Sequence, residues 1–420
     1  MNEASHPSPA PAWPEMTRVF GRIGVLSFGG PAAQIALMHE ELVVKHSWLD
    51  EQTYLRALSL CMLLPGPEAM QLATYAGWRL RGTAGGLLAG LLFVVPGALV
   101  IALIALLYAS YGQLPLVQAA FLGIKAAVIV VVLQALQKVA GKALHGAQGW
   151  TLALLSFVAL LVFGVPFPII ILAAGLWGIW RARPAPSARP VQVTARPARV
   201  IMLWVALWAA PLVLVWALDD AFLLQLGLFF SKLAVVTFGG AYAVLGYMTQ
   251  TVVSDLGWIT TTQMIDALGL AETTPGPLIL VTEFVALLAG FAQSGITGAL
   301  AAGALALWVT FTPCFLWIFL AGPYLERLGS QPRLAAGLQA ITAAVVGVIA
   351  NLTLWFAVHV LFARVGTVAP LALPLPEPAS FDPAAAGLTL LAAVLMLGLR
   401  LGFVAAMAIL ALCGLGLGMI

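Results

Sequence analysis

Apolar stretches of about 20 residues, the length of helix that crosses the hydrocarbon core of a bilayer, recur from one end of this chain to the other. They fall near 17–38, 57–78, 84–110, 116–137, 200–218, 222–250, 264–290, 296–320 and 334–362, with shorter ones near 150–164, 166–181, 386–400 and 402–420. Together they imply roughly 10 to 13 passes, some entering and leaving on one side. The runs are continuous rather than alternating, so helices are expected and not the strands of a barrel. Charged residues make up only 8% of the 420 residues, against about 25% in a soluble domain. That is too little charge to cover a water-facing surface. The expected fold is an all-α polytopic membrane protein with broken or re-entrant helices.

Several functions are disfavoured by what the chain carries. There is no basic run interleaved with aromatics, so nucleic acid is not an expected partner; lipid is. No HExxH, GxSxG or Walker A pattern occurs, which argues against an enzyme and against an ATP-driven pump. No cofactor is expected. Cys61, Cys314 and Cys413 lie far apart inside apolar runs, without metal spacing, and read as small packing residues. The polar, Pro-rich tail at 1–16 lacks the basic start and apolar centre of a cleavable signal.

One stretch is aqueous. From Arg181 to Arg199 the chain reads RARPAPSARPVQVTARPAR, with five arginines and no acid. Proline keeps it extended, and its charge marks a cytoplasmic linker by the positive-inside rule. It separates a first repeat at 17–180 from a second at 200–420. Phe20, Arg22, Ser27-Phe28-Gly29-Gly30, Trp48 and Pro65-Gly66-Pro67 each have a counterpart 210 residues later: Phe230, Lys232, Thr237-Phe238-Gly239-Gly240, Trp258 and Pro275-Gly276-Pro277. A register shared across so many features indicates duplication. Further along it drifts, with Ala126-Ala127-Val128 matching Ala343-Ala344-Val345, as a short insertion would cause. Lys45, Arg56, His39 and His46 follow the first FGG, whereas Asp255 and no basic residue follows the second. The two halves are therefore expected to be inverted repeats, with matching loops on opposite sides.

The matched breaks are where binding is expected. Glycine and proline interrupt a helix, and inside a bilayer the freed backbone must face protein or a water-filled cavity. A helix restarting after Gly29-Gly30-Pro31 or Pro65-Gly66-Pro67 presents unpaired N–H groups that favour an anion. The same holds at Gly239-Gly240 and Pro275-Gly276-Pro277, and Ser27 and Thr237 add hydroxyls. Arg22 and Lys232, at matched positions, would help neutralise a dianion, or else anchor their helices at the interface. Lys125 is a third cation inside an apolar run. Glu68, Glu272 and Glu283 are candidates for proton coupling; Glu68 would equally cap its own helix.

Ser27-Phe28-Gly29-Gly30-Pro31, Trp48 and Pro65-Gly66-Pro67, with their second-half echoes, resemble the chromate ion transporter family in its long, two-domain form. Ala241 departs from the pattern where the first half has Pro31. The resemblance implies a secondary transporter of the bacterial plasma membrane that exports chromate, driven by a proton gradient or anion exchange, with sulfate as a competing substrate analogue. From the residues alone, a permease for sulfate or a related oxyanion, and a membrane protein without transport activity, remain open. A homodimer is compatible with this plan, though no residue speaks for one.

Overall fold

The computed structural model describes residues 11–182, 197–238, 240–324, 331–368 and 373–418. The first half comprises α1 (Trp13–Leu26), α2 (Gly30–His39), α3 (Glu51–Leu63), α4 (Glu68–Tyr111), α5 (Pro115–Ala143), α6 (Gly146–Leu161) and α7 (Phe167–Arg181). After α8 (Pro197–Ala217), the second half repeats the series as α9 (Ala221–Val236), α10 (Ala241–Thr249), α11 (Thr261–Thr273), α12 (Val281–Ala321), α13 (Pro332–Leu361), α14 (Pro383–Ala393) and α15 (Phe403–Gly418). A short antiparallel hairpin, β1 (Val365–Val368) with β2 (Leu373–Pro376), joins α13 to α14. The fold is an all-α polytopic membrane protein. α4, α5, α8, α12 and α13 are long and apolar enough to cross a bilayer. Of α8, only Trp204 and Val215 are buried, as befits a helix with lipid around most of its circumference.

Breaks occur where glycine and proline permit them. The apolar run at 17–38 is not one crossing. α1 stops at Leu26, and Gly29, with φ of 82°, turns the chain into α2. α2 then runs back along α1. The Gln34 side chain reaches the Ser27 carbonyl, Glu41 lies 3.7 Å from Arg22, and His46 lies 3.8 Å from Glu15. A straight α4 of 44 residues would be about 66 Å long, twice the hydrocarbon thickness. Instead the chain reverses at Arg81 and Gly82, whose φ values are −143° and 63°. The two arms touch through glycine: a Cβ on Gly77 would sit 2.2 Å from the Gly85 carbonyl oxygen. α12 repeats this reversal at Ser294 and Gly295, with Gly290 against Gly298.

Equivalent helices of the two halves run in opposite directions. In the long second arms of α4 and α12, Gly86 faces Phe319 and Gly90 faces Phe315, so one ascends as the other descends. α6 runs alongside α13 in the same sense, with 148–152 beside 336–343 and Gly347 against Ala153. α5 turns tightly into α6, so α5 opposes its counterpart α13.

Lysine and arginine are distributed unevenly between the two ends of the bundle. The start of α1, the turn after α2 and the α4 reversal meet at one end, where Arg81 lies 4.8 Å over Trp13 and donates to the Pro11 carbonyl at 2.6 Å. Arg18, Arg22, Lys45, His46 and Arg79 belong to these segments. The corresponding segments of the second half bring Asp219, Asp220 and Asp255, with Lys232 their single lysine or arginine, and Trp258 packs on Phe222 at the start of α9.

Candidate functional site

At the centre, each half closes the break of the other. The Gly66 N–H donates to the Thr237 carbonyl at 2.8 Å, and the Gly276 N–H donates to the Ser27 carbonyl at 2.9 Å. The exchange is reciprocal, and it satisfies backbone groups that lipid could not. Two buried glutamines complete it. Gln34 donates to the Gly276 carbonyl at 2.7 Å and Gln71 to the Pro65 carbonyl at 2.7 Å. The glycines are required by φ of 117° at Gly66 and 92° at Gly276. Helix arms lie hard against both loops: Gly97 on Pro275, Cys314 on Gly66. Pro65, Gly66, Pro67, Pro275, Gly276 and Pro277 therefore form a buried clasp, and none of them lines the cavity described next. The hydroxyls of Ser27 and Thr237 are turned back onto the carbonyls of Ile23 and Leu233.

Beside the clasp is a cavity of about 330 Å³, room for roughly ten waters. Gly29, Gly30 and Pro31 at the start of α2 line it, and so do Gly240, Ala241 and Tyr242 at the start of α10. Two helix N-termini from opposite halves thus meet one space, each bringing the partial positive charge of its unpaired N–H groups. Gly239 lies outside the described residues.

The charges in the cavity are Lys138 and Lys142 from α5, Glu68 from the start of α4, and Glu272 from the end of α11. Both lysines line the cavity and are exposed. Lys142 is the cation acting on Glu68, and Lys138 the one acting on Glu272. Tyr242 donates its hydroxyl to Glu272 Oε1. The Glu68 carboxylate faces Gly240, whose Cβ would lie 3.9 Å from either oxygen. Gln134 and Thr342 add neutral polar groups; Met62, Val131 and Phe403 supply apolar wall.

The other sequence candidates lie elsewhere. Arg22 is 57% exposed and lies 3.7 Å from the buried Glu41, away from the cavity. Lys232 is exposed, its ammonium 5.4 Å over the Tyr247 ring. Lys125 is 3.6 Å from the fully buried Asp266, which also accepts from the Tyr108 hydroxyl at 2.6 Å. Glu283 is 3% exposed, and its Oε2 has no hydrogen-bond partner among the described residues. None of these four lines the cavity. Lys138, Lys142 and Gln134 were missed by sequence reasoning. Their signal was available as polar residues four apart on the last turns of an otherwise apolar α5.

The sequence pattern of the chromate transporter family matches residues 14–179 and 224–417, both halves of the chain. The chain is 31% identical over 351 residues to a chromate transport protein of Cupriavidus metallidurans, covering 82% of each. It is 34% identical over 351 residues to one from Pseudomonas aeruginosa, covering 82% of this chain and 81% of that one. A probable chromate transport protein of Synechococcus elongatus is 31% identical over 347 residues, 82% of this chain and 85% of that protein. No solved structure matches the chain. Duplicated breaks, a clasp between halves and a charged intramembrane cavity thus occur in a chain that belongs to the chromate transporter family.

Proposed function

We propose that this protein is a secondary transporter of the plasma membrane that carries chromate, and that the anion rests in the cavity between α2, α5 and α10. The observation that carries this reading is the convergence of two helix N-termini and two lysines, contributed by both halves, on one space. A tetrahedral dianion suits that set: N–H groups meet its oxygens and two ammonium groups match its charge. Sulfate has the same shape and charge and competes for the same groups.

The antiparallel packing of equivalent helices supports an inverted-repeat plan, in which one half rocks against the other around a central site. The basic end of the bundle is then cytoplasmic, and with it the linker at 181–199, most of which lies outside the described residues. The exposed lysines sit on the last turns of α5, so the cavity opens toward that basic end. A cavity open to the cytoplasm loads from the cytoplasm, as export demands.

The test is binding and flux with purified protein. Lys138→Ala with Lys142→Ala should weaken chromate and sulfate binding by at least about a hundredfold, since each charged hydrogen bond is worth about 1.5–3 kcal/mol. Flux into proteoliposomes should fall with it. Wild-type affinity in the double variant would refute the site, and absence of chromate movement by the wild-type protein would refute the function.

A further inference from the structure

The cavity poses a problem for an anion site: it holds as many carboxylates as ammonium groups. Glu68 and Glu272 balance Lys142 and Lys138. The remaining titratable neighbours are Tyr242, whose hydroxyl is committed to Glu272, and the buried Cys61 thiol beside Glu68. With all four charged groups ionised, their charges sum to zero and the field of a carboxylate acts on each lysine, although neither of these lysines forms an ion pair within 4 Å of a carboxylate among the described residues. A dianion entering this space must compete for both lysines and lie beside two carboxylates of its own sign. Like charges at close quarters in a low-dielectric site cannot all remain ionised.

Protons resolve the conflict. A carboxylic acid no longer repels the anion and turns an acceptor into an O–H donor for an oxyanion oxygen. It also frees its lysine. Glu272 is arranged for this, because Tyr242 occupies Oε1 and leaves Oε2 for the proton. Glu68 faces the backbone of Gly240, which brings no side chain of its own between them. Resting on the oxyanion site proposed above, we propose that the anion enters this cavity together with protons, taken from solvent, that bind Glu68 and Glu272. Protons and anion therefore occupy the site together rather than in turn, which fits export by exchange of one anion for another and not export driven by inward proton flow. Glu283, outside the cavity, has no part in this step.

Sulfate is the probe, because it keeps one charge state across the range tested, whereas chromate takes up a proton of its own near neutrality. Binding of radiolabelled sulfate to the purified full-length protein is measured from about pH 5.5 to about pH 8.5, on both sides of neutrality. Proton uptake is followed with an indicator dye in weakly buffered solution. Wild-type affinity should fall by up to about tenfold per pH unit for each proton bound, and sulfate addition should make the solution more alkaline. Glu68→Gln with Glu272→Gln should bind sulfate with a flat pH profile and no proton uptake. Each single variant should lose about half of the uptake. Glu68→Asp, which keeps the acid, should restore it, and Glu40→Gln at the surface should behave as wild type. A flat wild-type profile without uptake, or full uptake in the double glutamine variant, overturns the proposal while leaving the anion site intact. Failure of wild type to bind sulfate or chromate at any pH overturns the site itself, and this inference with it.

Discussion

Gly97 offers the sharpest test of how the halves meet. It follows Pro96 in the second arm of α4 and lies against the second-half loop Pro275-Gly276-Pro277. A Cβ added there would sit 2.2 Å from the Pro275 carbonyl oxygen and 2.7 Å from Leu280 Cδ1. Ordinary contact needs about 1 Å more. The Leu280 methyl can rotate away. The carbonyl cannot, because its loop is tied to Ser27 and Gln34 by hydrogen bonds. The arm must therefore move off the clasp. Overpacking of this kind costs about 1–3 kcal/mol, more than the roughly 1 kcal/mol that alanine gains over glycine in a helix. Gly141, on α5, has nothing within 4 Å of its added Cβ, so the propensity gain stands there unopposed. Thermal unfolding in detergent, followed by the emission of the 13 tryptophans, should show Gly97→Ala melting below wild type and Gly141→Ala at or above it. Sulfate binding should weaken with Gly97→Ala, because the same loop holds Ser27 at the start of the break that leads to Gly29. Equal melting and equal binding in the two variants would refute the packing argument.

Other expectations follow from the same geometry. Gln34→Leu removes donors to the Gly276 and Ser27 carbonyls and should cost about 1–3 kcal/mol, seen as a lower melting temperature with no change in the pH profile of binding. Arg22→Ala and Lys232→Ala should each keep sulfate affinity within about threefold of wild type, because neither side chain lines the cavity and charges exposed to solvent are screened over distance; a loss like that of the Lys138 and Lys142 variants would return these cations to the site. Residues 1–189 and 190–420 produced as two chains in the same cell should reassemble and transport, whereas either piece alone should not, which co-purification and flux assays would show. Asp266→Asn leaves the Lys125 ammonium without its counter-charge in a dry environment and should cost about 3–5 kcal/mol, measured as loss of folded protein, with Lys125→Met in the same chain recovering much of it.

The scaffold was legible in the sequence because duplication wrote it twice. The gaps between the apolar runs at 57–78 and 84–110, and between 264–290 and 296–320, fall on the two helix reversals at Arg81–Gly82 and Ser294–Gly295. The FGG and PGP breaks are breaks. Their roles were not separable, because composition marks a freed N–H but does not say whether an anion or a carbonyl from the other half will take it. At Gly66 and Gly276 it is a carbonyl. The charges were hidden for a related reason. A search for matched pairs finds what both halves share, such as Arg22 with Lys232. In the drifted register, Lys138 and Lys142 correspond to Trp355 and His359, while Glu68 and Glu272 correspond in the first register to Leu278 and Met62. The cavity draws its charge from positions where the copies diverged, and only tertiary packing brings those positions together.

The crossed bonds between Gly66 and Thr237, and between Gly276 and Ser27, also bear on how the chain is made. Once α7 has been made, the Gly66 amide and the Ser27 carbonyl of the first half still lack the groups that will meet them. More than fifty further residues must be synthesised before Thr237 exists, and more than ninety before Gly276 does. Until then the nascent half must shelter those groups with water, lipid headgroups or an insertion factor, and it matures only when its twin arrives.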